Sequence, residues 1–266
     1  RWWLHQSEEG IRQIARLLEA IEEHLAWPAA LQENVVLNRP RRTGPLPSRR
    51  RSTVCGGGGR VRRPAVEGWS SWRAAHWDLA IRGSSALRAA LLRQASQETG
   101  AALGFSTGQV LYDIERFYDH IDLAVVVRVA YNVDYPLVSL ALGLLMHQAP
   151  RRIITDFGVS ELLWPLRSLM AGCGQAIEIS RLALWEFLEA ANAAHRPREL
   201  RSWVDDMAHG ERGREQDVEE KLVSVALTMV DLLEKRGFKV SSKTVVTTTP
   251  AALGKRVVAR LAKAGV

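Results

Sequence analysis

The chain has 266 residues, 47% of them hydrophobic and 24% charged, which is typical of a folded protein with one large domain or two small ones. It has no apolar run of about 18 residues, so we expect no membrane-spanning helix and no membrane partner. Its two cysteines, Cys55 and Cys173, are too few for a disulfide framework or a cysteine zinc site. They suit a reducing compartment, and we expect an intracellular protein, either nuclear or cytoplasmic.

The net charge of +7 is concentrated in one segment near the start of the chain. Between Arg39 and Arg63 the sequence carries nine arginines and no acidic residue. Such a block is either a solvated, disordered segment or a surface that binds nucleic-acid phosphates. The same segment contains four consecutive glycines at 56–59, so we expect a flexible loop over residues 38–64.

Hydrophobic spacing predicts many helices and a few short strands, in the pattern of an α+β fold. The predicted helices span residues 8–25, 65–72, 86–99, 123–133, 136–147, 174–192, 218–236 and 251–264. The predicted strands span 108–114, a hairpin from 200–204 to 207–209 with its turn at two aspartates, and a strand pair within 238–248. Gly237 is expected to end the helix before it, because glycine adopts the left-handed conformation of a helix C-terminus without strain.

Three carboxylates lie at the ends of predicted strands. Asp113 lies at the end of the strand 108–114, and Asp205 and Asp206 lie at the tip of the hairpin. Aspartates at such positions are commonly turn formers. If the two strands are neighbours in one sheet, the carboxylates instead converge and need a divalent cation such as Mg²⁺ or Mn²⁺. Two such ions about 4 Å apart would serve an in-line phosphoryl transfer.

Two strand-end motifs and a later segment, taken in order, resemble the palm of reverse transcriptases. LYDIERFYDHID at 111–122 resembles the first palm motif, in which an aspartate precedes an aromatic pair by four and five positions. RSWVDDMAH at 201–209 resembles the aromatic-x-Asp-Asp motif, with Trp203 where tyrosine or phenylalanine is usual. LLEKRGFKVSSKT at 232–244 is similar to the fourth palm motif.

A further segment with the same resemblance lies between these motifs. MAGCGQAIEIS at 170–180 is similar to the Pro-Gln-Gly motif of reverse transcriptases; Gln175 is retained, whereas Gly174 and Ala176 replace the proline and the glycine. The four motifs together cover roughly residues 108–248. The resemblance is to RNA-directed DNA polymerases of non-LTR retroelements, and it implies a palm-like antiparallel sheet backed by helices, with an incomplete helical fingers region.

The resemblance implies a catalytic role for four of these residues. Asp113 and Asp205 would hold two Mg²⁺ or Mn²⁺ ions, assisted by Asp206, while a DNA primer on an RNA template attacks a dNTP. Lys243 would protonate the leaving pyrophosphate as a general acid. The alternative for Lys243 is a solvated lysine at a strand end.

The resemblance also implies four nucleotide-binding residues. Tyr118 would lie under the incoming sugar and exclude a 2′-hydroxyl, or else be an aromatic core residue. Gln175 would position the template and the nucleotide, or else be a polar residue on a helix face. Arg41 and Arg42, in LNRPRRTG at 37–44, would contact the triphosphate.

The predicted organisation has three parts: a fingers-like, arginine-rich helical region at 1–104, a palm-like catalytic domain at 105–250, and a C-terminal helix at 251–266. We expect the chain to be a fragment that lacks the thumb. Two functions follow from this organisation. The first is two-metal nucleotidyl transfer, and the second is that of a non-catalytic retroelement remnant that binds nucleic acid through its arginine-rich segment.

Overall fold

A computed structural model of the protein describes residues 34–37, 69, 75–81, 83–165, 167–170 and 173–265. The described residues divide into two compact units. The first includes those within Arg1–Trp69 and Leu123–Ile179, and the second includes those within Ser70–Asp122 and Ser180–Val266.

Several sequence predictions lie outside the described residues. These are the helix 8–25, the flexible loop 38–64, most of the helix 65–72, and the two finger arginines, Arg41 and Arg42.

The described part of the chain contains seven strands and seven helices. Each has at least four residues except β4, which has two. The strands are β1 (Asn34–Leu37), β2 (Ser106–Tyr112), β3 (Arg151–Thr155), β4 (Gly158–Val159), β5 (Glu199–Trp203), β6 (Asp206–Gly213) and β7 (Val245–Thr249). The helices are α1 (Ala86–Ala102), α2 (Phe117–His120), α3 (Leu123–Asn132), α4 (Leu137–Gln148), α5 (Ala176–His195), α6 (Glu215–Glu234) and α7 (Ala251–Lys263).

The first unit contains a small sheet and the helices α3 and α4. β1 runs parallel to β3, and β3 pairs antiparallel with β4. Trp69 is buried against Tyr135 and donates from its indole N–H to the carbonyl of Val133 at 2.8 Å. Buried His147 accepts a hydrogen bond from the backbone N–H of Met170 at 3.0 Å, so it is a core histidine.

The second unit is built on a four-stranded antiparallel sheet in the order β5-β6-β2-β7. Successive side chains of a strand point to opposite faces of the sheet. A Cβ on Gly108 of β2 would meet Leu222 of α6, whereas the neighbouring Thr107 lies against Gly100 of α1. Helices α6 and α1 therefore cover opposite faces of this sheet.

Helix α6 packs on the sheet through a regular apolar stripe. Its buried residues recur at intervals of three and four positions, which is the spacing of one face of a helix. They are Val218, Leu222, Val225, Met229 and Leu233. The helix ends at Glu234, and Gly237 follows with a φ of 78°, as the sequence predicted for a glycine at a helix end.

A buried histidine links the sheet to α6. His209 on β6 is 1% exposed, and its Nδ1 lies 2.8 Å from the Tyr112 hydroxyl of β2. Its Nε2 lies 3.2 Å from the carbonyl oxygen of Leu222. Burial lowers the pKa of His209 to about 4, so the ring is neutral at pH 7 and serves as a structural link.

The mixture of helices and antiparallel sheet confirms the predicted α+β class. The helices predicted at 86–99, 123–133, 136–147, 174–192, 218–236 and 251–264 all form, with ends shifted by a few residues. The prediction of a strand pair within 238–248 is wrong. Val240 bridges Ile114 and β7 pairs with β2, because this segment extends along one edge of β2 and never folds back on itself.

Strands β1, β3 and β4 were not predicted, since they are short and lack an alternating apolar pattern. No helix among the described residues is both long and apolar enough to cross a membrane.

Candidate active site

Asp113 follows the last residue of β2, and both its backbone N–H and its backbone carbonyl make hydrogen bonds to a later segment of the chain. Its N–H donates to the Thr244 hydroxyl at 3.3 Å, and its carbonyl accepts from the N–H of Ser241 at 2.7 Å. The segment that begins at Phe238 therefore runs alongside the end of β2 and fixes the chain direction at Asp113.

Asp205 lies in the two-residue turn of the β5–β6 hairpin. Trp203 pairs with Asp206, so the turn consists of Val204 and Asp205, and Asp206 is the first residue of β6. The sequence predicted the turn at the two aspartates, which is one residue too late. Val204 has a φ of 59°, a conformation that is disfavoured for a β-branched residue and costs on the order of 1–3 kcal/mol.

The sheet register brings the two aspartate motifs to the same edge. Tyr112 of β2 pairs with Met207 of β6, so the next residues outward are Asp113 on one strand and Asp206 on the other. Burial raises the pKa of the half-buried Asp205 above its usual 3.8, and the charges of Asp206 and Asp113 raise it further. A hydrogen bond from the backbone N–H of Asp205 to its own carboxylate opposes this rise.

Carboxylate oxygens are the ligands that Mg²⁺ and Mn²⁺ prefer. Among the described residues, no group of three or more histidine, cysteine, aspartate or glutamate side chains is arranged to hold a metal ion. Mg²⁺, however, is commonly bound by one or two carboxylates together with water and substrate phosphates. Asp113 and Asp205 fit that requirement because both lie at one edge of the sheet. A cation bound there would offset the repulsion between their charges.

Tyr118 lies beside this pair of carboxylates. It belongs to the short helix α2, which begins after Arg116 in a left-handed conformation with a φ of 47°. Burial raises the pKa of the Tyr118 phenol, and the negative charge of Asp205 raises it further. A hydrogen bond with Ser180 of α5 acts in the opposite direction. The phenol ring is half-buried.

Phe117, next to Tyr118, is a core residue. It is 2% exposed and stacks on Phe238 with ring centroids 5.3 Å apart. This contact joins α2 to the segment that borders Asp113.

Lys243 and Gln175 occupy different environments. Lys243 is exposed, and its backbone N–H donates to the Ser241 hydroxyl at 3.2 Å, within the segment that borders Asp113. Gln175 belongs to the first unit, where its side-chain oxygen occupies the space next to Gly143 of α4. The structure thus brings Asp113, Asp205 and Asp206 together with the Tyr118 side chain and the segment of Lys243.

Two structural features near the site, a pocket and a chain segment, were not identified from the sequence. One is a pocket of about 210 Å³ lined by Arg93 of α1 and by Arg201, Trp203 and Asp206 of the hairpin. The other is the segment Trp77–Leu79, which pairs with Ser202 of β5. Both depend on contacts between residues far apart in the chain, and the only local signal is an apolar pair of residues flanking Asp78.

Comparison with known proteins supplies structural relatives only. The chain matches no protein-family profile and no curated protein sequence. It is similar to the structure of apo telomerase from Candida tropicalis truncated from its C-terminal domain, with a TM-score of 0.50 and 12% sequence identity. The match covers 71% of this chain and 39% of the telomerase chain. The protein has a polymerase-like fold.

A second match has a lower score. An insertion-loop deletion mutant of the RNA-dependent RNA polymerase of a human picobirnavirus aligns with a TM-score of 0.35 and 12% identity, over 53% of this chain and 27% of that one. This chain therefore spans less than half the length of either solved structure.

Proposed function

We propose that the chain is the palm, with part of the fingers, of an RNA-directed DNA polymerase of the non-LTR retroelement type. The observation that carries this proposal is the position of Asp113 and Asp205 at one edge of the sheet, where the charge of Asp113 helps to raise the pKa of Asp205. The polymerase-like fold supports it, and so does the order of the palm motifs along the chain.

In this function Asp113 and Asp205, with help from Asp206, would hold two Mg²⁺ or Mn²⁺ ions. The ions would activate the primer 3′-hydroxyl and neutralise the charge that develops on the dNTP phosphates. Asp205 has to lose its proton before it binds a cation, and its raised pKa makes this step dependent on pH.

The remaining residues would bind and orient the substrates. Tyr118 would contact the sugar of the incoming dNTP, and its bond to Ser180 would hold the ring in place for that contact. Gln175 would position the template strand. Arg41 and Arg42 would bind the triphosphate, and Lys243 would donate a proton to the leaving pyrophosphate.

Positive charge beside the hairpin supports a nucleic-acid partner. Arg93 and Arg201 line the pocket next to Asp206, and guanidinium groups bind phosphates in a bidentate manner. The excess of positive charge on the whole chain, +7, acts in the same direction by attracting the phosphate backbone.

The test is extension of an oligo(dT) primer on a poly(rA) template with Mn²⁺ or Mg²⁺. Asp205→Asn removes the charge and keeps the shape of the side chain, and Asp156→Asn, at an exposed turn of the first unit, is the matched control. We expect the wild type and the control to extend the primer and Asp205→Asn to lose extension. Equal extension by Asp205→Asn would refute the assignment of the site.

A second candidate function is that of a non-catalytic remnant that binds nucleic acid. The arginine-rich segment between Arg39 and Arg63 favours it, because that segment contains no acid to oppose binding to phosphates. In that case no variant extends the primer. Affinity for RNA and DNA then falls steeply between about 50 and 200 mM salt, irrespective of base sequence.

A further inference from the structure

The turn that carries Asp205 adopts a backbone conformation that its own residues do not favour. Val204 is β-branched and has a φ of 59°, where glycine is the usual residue. Such a conformation persists only where the surrounding structure holds it. The contacts that hold this turn therefore determine where the Asp205 carboxylate lies.

Ser202 makes the contact nearest to the turn. Its side chain is buried, with the residue 3% exposed, and its hydroxyl donates to the carbonyl oxygen of Val204 at 2.9 Å. That carbonyl belongs to the peptide group whose N–H is the backbone N–H of Asp205. The same N–H donates to the Asp205 carboxylate. Polarising the carbonyl end of a peptide strengthens its N–H as a donor, so the Ser202 hydroxyl and the Asp205 carboxylate act on one peptide group from opposite ends.

The backbone of Ser202 is fixed in turn by a segment outside the hairpin. Its N–H donates to the carbonyl of Trp77 at 2.7 Å, and its carbonyl accepts from the N–H of Leu79 at 2.9 Å. The segment Trp77–Leu79 thus runs parallel to β5 and pairs with the outer edge of that strand.

A buried ion pair holds this segment against α5. The carboxylate of Asp78 contacts the guanidinium of Arg181, and both side chains are 4% exposed. Arg181 also donates to the carbonyl of Ala80 at 3.0 Å, and Asp78 accepts from the Ala80 N–H at 3.0 Å. Trp77, which is 1% exposed, donates from its indole N–H to Glu189 of α5 at 2.6 Å.

We infer that Ser202 is a positioning residue for Asp205, and that the Asp78–Arg181 pair sets the position of Ser202 through the segment Trp77–Leu79. This inference rests on the proposed function for the role of Asp205 as a metal ligand. Repulsion from Asp113 and Asp206 tends to move the Asp205 carboxylate away from the site, and the hydroxyl of Ser202 opposes that movement through the Val204 carbonyl.

The test measures Mn²⁺ affinity from the electron paramagnetic resonance signal of free Mn²⁺. Ser202→Ala removes the hydroxyl, and Ser202→Thr retains it. Ser224→Ala is the matched control, because the Ser224 hydroxyl donates to the backbone carbonyl of Lys221 at 3.1 Å on α6. Circular dichroism confirms that each variant is folded.

We expect Ser202→Ala to weaken Mn²⁺ binding by about tenfold or more, the usual effect of removing a group that orients a metal ligand. Ser202→Thr and Ser224→Ala should bind Mn²⁺ as the wild type does. A folded Ser202→Ala with wild-type affinity would overturn the inference. If Ser202→Ala does not fold, Ser202→Cys replaces it; its weaker donor should lower the affinity, and unchanged affinity would overturn the inference.

A separate measurement distinguishes this inference from the proposed function. If the wild type binds no Mn²⁺, the proposed metal site fails. Hydrogen exchange of the backbone N–H groups of Val204, Asp205 and Asp206 then decides whether Ser202 holds the turn. Faster exchange in Ser202→Ala than in Ser224→Ala supports the positioning role, and equal exchange overturns it.

Discussion

The ion pair between Asp78 and Arg181 gives the sharpest prediction of stability. Arg181→Met keeps an unbranched side chain at this position and removes its charge. The Asp78 carboxylate then remains 4% exposed without the guanidinium, and it still accepts a hydrogen bond from the backbone N–H of Ala80. Removing one partner of a buried pair costs about 3–5 kcal/mol, because the other charge is left uncompensated. For a protein of this size, that loss lowers Tm by roughly 10 °C.

The penalty should depend on pH in a defined direction. Burial raises the pKa of Asp78, and the charge of Arg181 opposes this rise. Without Arg181 the pKa rises further, so the carboxyl group is neutral over a wider range of acidic pH. The destabilisation is therefore largest at neutral pH, above the folded-state pKa of Asp78, and becomes smaller as the pH falls through it.

Urea unfolding at several pH values measures the effect. The control is Lys235→Met, which breaks an exposed pair with Asp231 whose side chains are 69% and 54% exposed, and it should cost under about 1 kcal/mol. Adding Asp78→Asn to Arg181→Met removes the buried charge and should recover part of the loss. The reasoning is wrong if Arg181→Met costs no more than Lys235→Met, or if its cost grows on acidification.

Three further predictions concern the second unit. His209 is buried and neutral, and its pKa is about 4 in the folded protein against 6.5 in the unfolded chain. The free energy of unfolding should therefore fall by about 3 kcal/mol as the pH drops from 6.5 to 4. His209→Gln should abolish that dependence in urea unfolding. Gly108→Ala places a methyl group against the Leu222 side chain and should cost about 1–3 kcal/mol in the same assay; a neutral result would mean that this side chain shifts to make room. Mn²⁺ affinity should rise with pH through the pKa of Asp205, which lies above 3.8, and a flat profile between pH 4 and 7 would show that Asp205 is not a ligand.

Local patterns in the sequence predict the longer helices, strand β2 and the hairpin, but they place the end of β2 two residues too late and the hairpin turn one residue too late. Helix α6 is an example, because its apolar residues recur at helical spacing and Gly237 follows its end. The sequence also predicted that Asp113 and Asp205 converge if their strands are neighbours in one sheet, and the pairing of β2 with β6 meets that condition. These features can be predicted because each is encoded by residues that lie close together in the chain.

Contacts between distant residues decided the rest. The sequence WVDD does not predict a left-handed valine, because a β-branched residue disfavours it; the hydroxyl of Ser202 and the pairing of Ser202 with Trp77–Leu79 accompany that conformation. The partnership of Asp78 with Arg181 joins residues about 100 positions apart, which no local periodicity reports. Burial likewise raises the pKa of Asp205, and burial exists only once the tertiary structure has excluded water from the site. The sequence by itself determined which residues are the candidates for the chemistry, whereas the tertiary structure alone decided how those residues are held and how readily Asp205 ionises.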